Sequence, residues 1–174
     1  MVRIAEMDDI PQLVNLVNAA YRGEPSRKGW TTEADLISGD LRIDNDSLEA
    51  MINEPSSIVL VFISDNKIAG CVYLEKQEED LYLGLLSVWP ELQGKDIGKK
   101  LLIAAEEYAV KNKKENIVMN VISRRQELIS WYLRHGYVLT SETKPFPDDN
   151  RFGTPVENLE FVVLKKKLSY SSAI

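Results

Sequence analysis

An apolar stretch of strand length at 81–88 runs through a glycine-containing turn into a helix, and this joint constrains the chain more than any other segment. The turn reads Gln93-Gly94-Lys95-Asp96-Ile97-Gly98-Lys99-Lys100. After it, Leu101, Leu102, Ala105, Tyr108 and Ala109 recur at helical spacing to about residue 112. A helix that starts directly after a buried strand aims its unpaired first-turn N–H groups at one spot, backed by about half a positive charge of helix dipole. A phosphate or pyrophosphate fits such a spot. The plainer alternative is an ordinary helix start, with Asp96 as N-cap and the lysines in solvent. The turn is not a P-loop, because Gly94 and Gly98 are four apart and no Ser or Thr follows the lysines.

The remaining chemistry is narrowed by what the chain holds. Its 174 residues suit one domain with a sizeable core. Hydrophobic residues at 44% and charged residues at 28% make an ordinary globular balance. A net charge of −6 disfavours nucleic acid as a partner and is weakly compatible with cationic substrates. Cys71 is the only cysteine and His135 the only histidine, so no disulfide and no zinc cluster is expected. The aliphatic run 58–63 is too short to span a bilayer, and residues 1–9 carry three acids without an apolar core, unlike a signal peptide. A cytoplasmic chain without membrane contact is expected.

Periodicity predicts a strand at 2–5, then a helix through Leu13, Val14, Leu16, Val17 and Ala20 capped by Asp8 or Asp9. A loop follows at 22–32, with a further helix starting at Thr31 or Thr32. The polar stretch 38–45 gives no periodic signal. A short helix is expected at 47–53, then strands at 58–63, 68–74 and 81–88 as an antiparallel meander. The helix 97–112 and a strand at 117–122 come next. Ser123 with Gln126 reads as a capping box opening a helix that ends before Gly136. Strands at 137–140 and 159–164 flank a loop at 144–158. Two loops are long for a compact domain, 22–32 and 144–158, and such loops are often functional walls.

Two motifs together resemble a known family. The stretch from Leu85 through Val88 and Gln93 to Leu102 is similar to the acyl-CoA signature of the GNAT superfamily of N-acetyltransferases: a strand ending in valine, then Arg/Gln-x-x-Gly-x-Gly/Ala, then a helix. Gln93, Ile97 and Gly98 match, while Asp96 stands where the family usually has its first glycine. A second stretch, Trp131-Tyr132-Leu133-Arg134-His135-Gly136-Tyr137, resembles the family's Tyr-x-x-x-Gly-Phe/Tyr. The resemblance covers nearly the whole chain. It implies an α/β (α+β) GNAT fold, a mixed central sheet of about seven strands flanked by helices. A single domain would span 1–168, with a tail at 169–174.

The resemblance also implies roles. Leu86, Ser87 and Val88 would lie on a bulged strand whose backbone binds the pantetheine arm of acetyl-CoA. The N–H groups of Gln93, Gly94, Lys95, Asp96, Ile97, Gly98 and Lys99 would hold the pyrophosphate. Tyr132 would act as the catalytic acid on the departing thiolate, with a half-buried core tyrosine as the alternative. A phenol near 10 against a thiol near 8.5 makes full proton transfer uphill by about 2 kcal/mol, so a hydrogen bond in the transition state is the safer description. Arg124 or Arg125 at the start of the same helix would meet a CoA phosphate or else solvent; Arg125 stands where the family has a pantetheine-binding asparagine.

An alkylamine is neutral in only about one molecule in 2,500 at pH 7, so a base or water chain is expected. No acid lies within 81–88, which leaves Glu79, Asp80, Glu33 or water for that role. Trp30, Glu33, Tyr82 and Phe146 are acceptor-site candidates, although Trp30 and Phe146 could equally pin loops to the core. The expected activity is direct transfer of acetyl from acetyl-CoA to a primary amine of a small molecule or peptide, without a metal. The alternative is a non-catalytic acyl-CoA-binding module. A homodimer through the C-terminal strands is compatible with the family.

Overall fold

The computed structural model describes residues 1–170. The expected tail at 169–174 therefore lies, from residue 171 on, outside the described residues. One mixed sheet of seven strands runs through the molecule in the order β1-β2-β3-β4-β5-β7-β6. Its strands are β1 (Val2–Ile4), β2 (Ser57–Ser64), β3 (Lys67–Lys76), β4 (Asp80–Val88), β5 (Asn116–Ile122), β6 (Val138–Pro145) and β7 (Glu160–Lys167). Helices α1 (Ile10–Tyr21), α3 (Asn45–Asn53), α4 (Ile97–Lys111) and α5 (Gln126–Arg134) flank it, and α2 (Gly23–Ser26) is a single turn.

Alternation along the strands builds a core on each face. On one face Leu60, Val72, Leu74, Leu81 and Leu83 pack with Leu101, Leu102 and Ala105 of α4 and with Tyr132 of α5. On the other, Val59, Val61, Cys71 and Tyr73 pack with Leu13, Leu16 and Val17 of α1 and Leu48 of α3. The meander β2-β3-β4 forms as expected. Its first turn holds Asp65 and Asn66 at φ 50 and 59, the left-handed pair that a two-residue hairpin requires.

Strand β4 carries the feature on which the site depends. Cys71 pairs with Ser87 and Tyr73 with Gly84, so two steps along β3 face three along β4. Leu85 absorbs the extra residue at φ 50. A one-residue bulge reverses the parity of everything after it. Leu81 and Leu83 point toward α4, Leu85 toward α1, and then Leu86 and Val88 again toward α4. The bulge also bends β4 away from its parallel neighbour. The β4–β5 register covers only Asp80, Tyr82 and the residue between them, paired with Asn116 through Val118. Beyond that point the two strands diverge and leave a wedge. Gly70 on β3 lets α4 pack close against the sheet beside Val88: a Cβ there would sit 3.1 Å from both Ile97 and Leu101 and 2.8 Å from the Ser87 carbonyl oxygen.

Several expectations need correction. No helix starts at Thr31 or Thr32. Residues 33–37 make one turn, Ile37 N–H to the Glu33 carbonyl at 3.0 Å, and Ile37 then bridges Pro155. Asp9 does not cap α1: it accepts the Glu6 N–H and pairs with Arg3 at 2.7 Å. The Ser123–Gln126 capping box does not form, because the Gln126 amide donates to the Ser123 carbonyl and α5 begins at Gln126 without a side-chain cap. Strand β6 runs to Pro145, five residues beyond the expected end, as an exposed edge strand with no apolar alternation to reveal it.

Candidate active site

Helix α4 opens with its amides free. Among the described residues, nothing accepts the N–H groups of Gly94, Lys95, Asp96, Ile97, Gly98 or Lys99, and the first bond of the helix comes from Lys100 to the Asp96 carbonyl at 3.0 Å. Six donors in one turn, at the positive end of a 15-residue helix, make an anion cradle. The Gln93 N–H is excluded from it, being turned to the Pro90 carbonyl at 3.5 Å.

Asp96 takes the N-cap position but does not cap. Its backbone is left-handed, at φ 63 and ψ 10, and its exposed side chain makes no capping hydrogen bond. The alternative of Asp96 as a side-chain N-cap is therefore corrected, and its carboxylate leaves the mouth open. Aspartate tolerates this conformation, which glycine would adopt freely.

The cradle heads a cavity of about 480 Å³. Leu86, Val88, Gln93, Gly94, Asp96, Ile97, Gly98 and Lys99 line it, with Trp30, Trp131 and Tyr132 opposite. Ser87 and Lys95 do not. The bulge turns the Ser87 side chain to the α1 face, where its hydroxyl donates to the Leu85 carbonyl at 2.9 Å, and Lys95 extends into solvent. The Gln93 side chain works as a strap instead. Its Nε2 donates to the Val88 carbonyl at 3.1 Å, and its Oε1 accepts the Trp30 N–H at 3.0 Å. Gly29 permits this, since a Cβ there would lie 2.4 Å from that Oε1. Trp30 consequently borders this cavity, its ring tilted against Trp131 with centroids 6.3 Å apart.

A second cavity of about 310 Å³ lies on the other side of the wedge. Tyr21, Leu86, Leu128 and Tyr132 border both cavities and form the junction between them. Tyr132 is 4% exposed, and its hydroxyl has no hydrogen-bond partner among the described residues. Burial pushes its phenol well above the ordinary tyrosine range, which keeps it protonated. Gly136 at φ 92 ends α5 and returns the chain so that Tyr137 packs edge-on to Tyr132 at 5.7 Å.

Glu33 and Tyr82 line the second cavity, and so does Arg125. Arg125 is 5% exposed and meets neither the cradle nor solvent, contrary to expectation. Its Nη1 donates to Glu33 Oε2 at 3.1 Å and its Nη2 to Thr31 Oγ1 at 2.9 Å. Arg22, also buried, donates from Nε to Glu33 Oε1 at 3.0 Å. Both Glu33 oxygens are thus committed to guanidinium groups, which removes Glu33 as a base and makes it a positioning residue. Glu79 and Asp80 are removed by distance. They sit at the paired end of β4, six or more residues and about 20 Å from Leu86, and Asp80 is bonded to Asn116 at 2.8 Å. Arg124 pairs with Glu157. Phe146 lines neither cavity and pins its loop on Phe161 at 5.2 Å.

Sequence reasoning missed Tyr21 and Arg42. Tyr21 ends the Leu13–Val17 stripe of α1 at i+4 spacing, so its placement was available. Its hydroxyl donates to the Leu86 carbonyl at 3.2 Å, inside the wedge. Burial raises it to about 12. Arg42 lies in the 38–45 stretch that gave no periodic signal.

A family model described as an acetyltransferase (GNAT) domain matches residues 40–148. The fold is similar to PaiA N-acetyltransferase from Thermoplasma acidophilum, solved in complex with coenzyme A, at 20% identity and TM-score 0.74, over 96% of this chain and 98% of that one. It is similar to ribosomal-protein-alanine N-acetyltransferase from Brucella melitensis at 18% identity and TM-score 0.72, over 97% and 99%. It is also similar to yncA from Salmonella typhimurium, solved with its cofactor acetyl-CoA, at 18% identity and TM-score 0.70, over 100% and 96%. No curated protein matches the chain in sequence.

Proposed function

The chain belongs to the acetyltransferase (GNAT) family, and on that premise we propose that it transfers acetyl from acetyl-CoA directly to a primary amine of a small molecule or peptide. One observation carries this reading: a protonated, unpartnered phenol stands where a cavity headed by six free amides meets a second, separate chamber. The amides of residues 94–99 would hold the pyrophosphate, and the pantetheine would run along the splayed edge of β4 past Leu86 and Val88. The thioester would then rest at the junction. Structures of the same fold solved with coenzyme A and with acetyl-CoA support this ligand.

In the reaction the amine nitrogen attacks the thioester carbon, an N–C bond forms and the C–S bond breaks. Negative charge passes to the sulfur, and the Tyr132 hydroxyl donates a hydrogen bond to it. The proton shed by the amine leaves through water in the chamber and ends on the thiolate. Burial makes full ionisation of Tyr132 more costly than in water, which favours hydrogen bonding over complete transfer. Apart from Glu33, no carboxylate lines the chamber among the described residues, so the amine reacts as the free base it brings. A covalent enzyme intermediate is disfavoured: Cys71 is buried on the α1 face, and burial raises its thiol to about 12.

The test is incubation with acetyl-CoA and a panel of amines, reading acetyl mass gain on each amine and free CoA thiol. Acetylated amine with stoichiometric thiol is the expected result. Tight acetyl-CoA binding without transfer to any amine would favour a binding module instead.

A further inference from the structure

The charge of the second chamber points to its occupant, given the acetyltransferase reading above. Glu33 supplies the only carboxylate lining it among the described residues, and that carboxylate is divided between Arg22 and Arg125. One anion therefore serves two buried cations. Arg42 adds a third: its half-buried guanidinium lines the chamber over the Tyr21 ring at 5.7 Å and joins no ion pair or side-chain hydrogen bond among the described residues. Arg125 stands over the same ring at 5.5 Å. Its Nε is sealed from solvent and has no acceptor, though its other two nitrogens are paired. A buried N–H left without an acceptor is rare in folded proteins, so the Arg125 charge is incompletely compensated.

Two guanidinium groups thus line one small chamber, and Arg42 presents unused donors to it. Because both lie over one tyrosine ring, their central carbons are within about 11 Å of each other. A volume of about 310 Å³ sits at the small end of ligand sites and suits a compact molecule. We propose that the acceptor is a small amine bearing a compact anionic group, a carboxylate as in a free amino acid or a phosphonate, and that Arg42 binds that group, with the buried Arg125 charge behind the wall, while the amine faces Tyr132. A guanidinium fork matches both oxyanions geometrically. The same surplus of positive charge repels polyamines and aminoglycosides, against the weak expectation drawn from the chain's net charge.

The experiment compares matched acceptors with the full chain and acetyl-CoA: an α-amino acid, its amide, its decarboxylated amine, an aminoalkylphosphonate and spermidine. The expected kcat/KM for an acid exceeds that of its amide and decarboxylated amine at least tenfold, and the phosphonate arm tells which oxyanion fits better. Arg42→Gln should raise KM for the acid by about tenfold to a hundredfold. It should leave kcat and acetyl-CoA affinity within about twofold to threefold, and Arg42→Lys should recover part of the loss. Equal or better use of the amide or of spermidine would overturn the proposal while leaving the enzyme assignment intact, as would an unchanged KM in Arg42→Gln. Should acetyl-CoA fail to bind, the enzyme assignment falls. Calorimetric titration of the free protein with the acid against its amide then decides the anion site alone, and equal heats overturn it.

Discussion

The two cavities that meet at Tyr132 are built in opposite ways. The amide-lined mouth draws most of its wall from one continuous stretch, residues 86–99, with the Trp131–Tyr132 segment facing it. Its binding groups are backbone amides that exist because a helix begins there. The second chamber is collected from Tyr21, Glu33, Arg42, Tyr82, Asn120, Arg125 and Phe161, far apart in the chain. Its walls are held by a buried network, with Arg22 also donating to the Leu41 and Phe152 carbonyls and so tying both long loops together. Local structure makes the amide cradle of the mouth, whereas the chamber exists only once the tertiary fold is complete. Substitutions should accordingly change ligand affinity at the mouth and stability at the buried Arg22–Glu33–Arg125 network of the chamber.

The largest effect is expected at Glu33. Glu33→Ala leaves Arg22 and Arg125 buried without their shared carboxylate, which should cost about 3–5 kcal/mol in denaturant unfolding. A loss under about 0.5 kcal/mol would break the contrast between the two regions. Next comes Gly98→Val at the mouth. A Cβ there meets the Trp131 ring at 3.4 Å, and the branches would extend into the cavity. Acetyl-CoA affinity should fall about tenfold, or about 1.4 kcal/mol, in calorimetric titration. Stability should change far less than in Glu33→Ala.

That contrast also explains what could be read from the sequence. The strand–turn–helix joint, the meander and the Tyr-x-x-x-Gly-Tyr segment are short-range patterns, and all three stand in the structure where periodicity and motif spacing put them. A bulge in β4 was implied only by resemblance, on Leu86 to Val88 rather than at Leu85, since the mostly apolar run 81–88 hides a change of parity. Arg125 looked exposed because a cation at a helix start usually is. Nothing local reveals that Glu33, ninety-two positions earlier, faces it. Arg42 was silent for the same reason, and the edge strand β6 lacked the alternation that one-sided burial produces. Phe146 and Trp30 were visible as anchors, but that Trp30 borders a cavity and Phe146 borders neither depends on how the two long loops meet.

A smaller effect sharpens the account of the mouth. Asp96→Gly relieves the left-handed backbone and removes a negative charge beside the proposed pyrophosphate. Acetyl-CoA should bind about twofold to tenfold more tightly. Unchanged or weaker affinity would mean that the 96 position lies outside the cradle. The smallest expected effect is the absence of one. Burial raises Tyr132 well above 10, so the phenol stays protonated across the working range. The pH profile of kcat/KM should climb as the amine deprotonates and show no descending limb below about pH 10. A fall between pH 8 and 9 would assign a different acid.

The most direct measurement is Tyr132→Phe, with turnover and acetyl-CoA affinity determined on the same preparation. The ring, its packing against Tyr137 and the mouth all survive the change, and only the junction hydroxyl is lost. A fall in kcat of about a hundredfold or more, with the acetyl-CoA dissociation constant within about twofold of the parent, is the predicted result. Turnover equal to that of the unsubstituted enzyme would contradict the account.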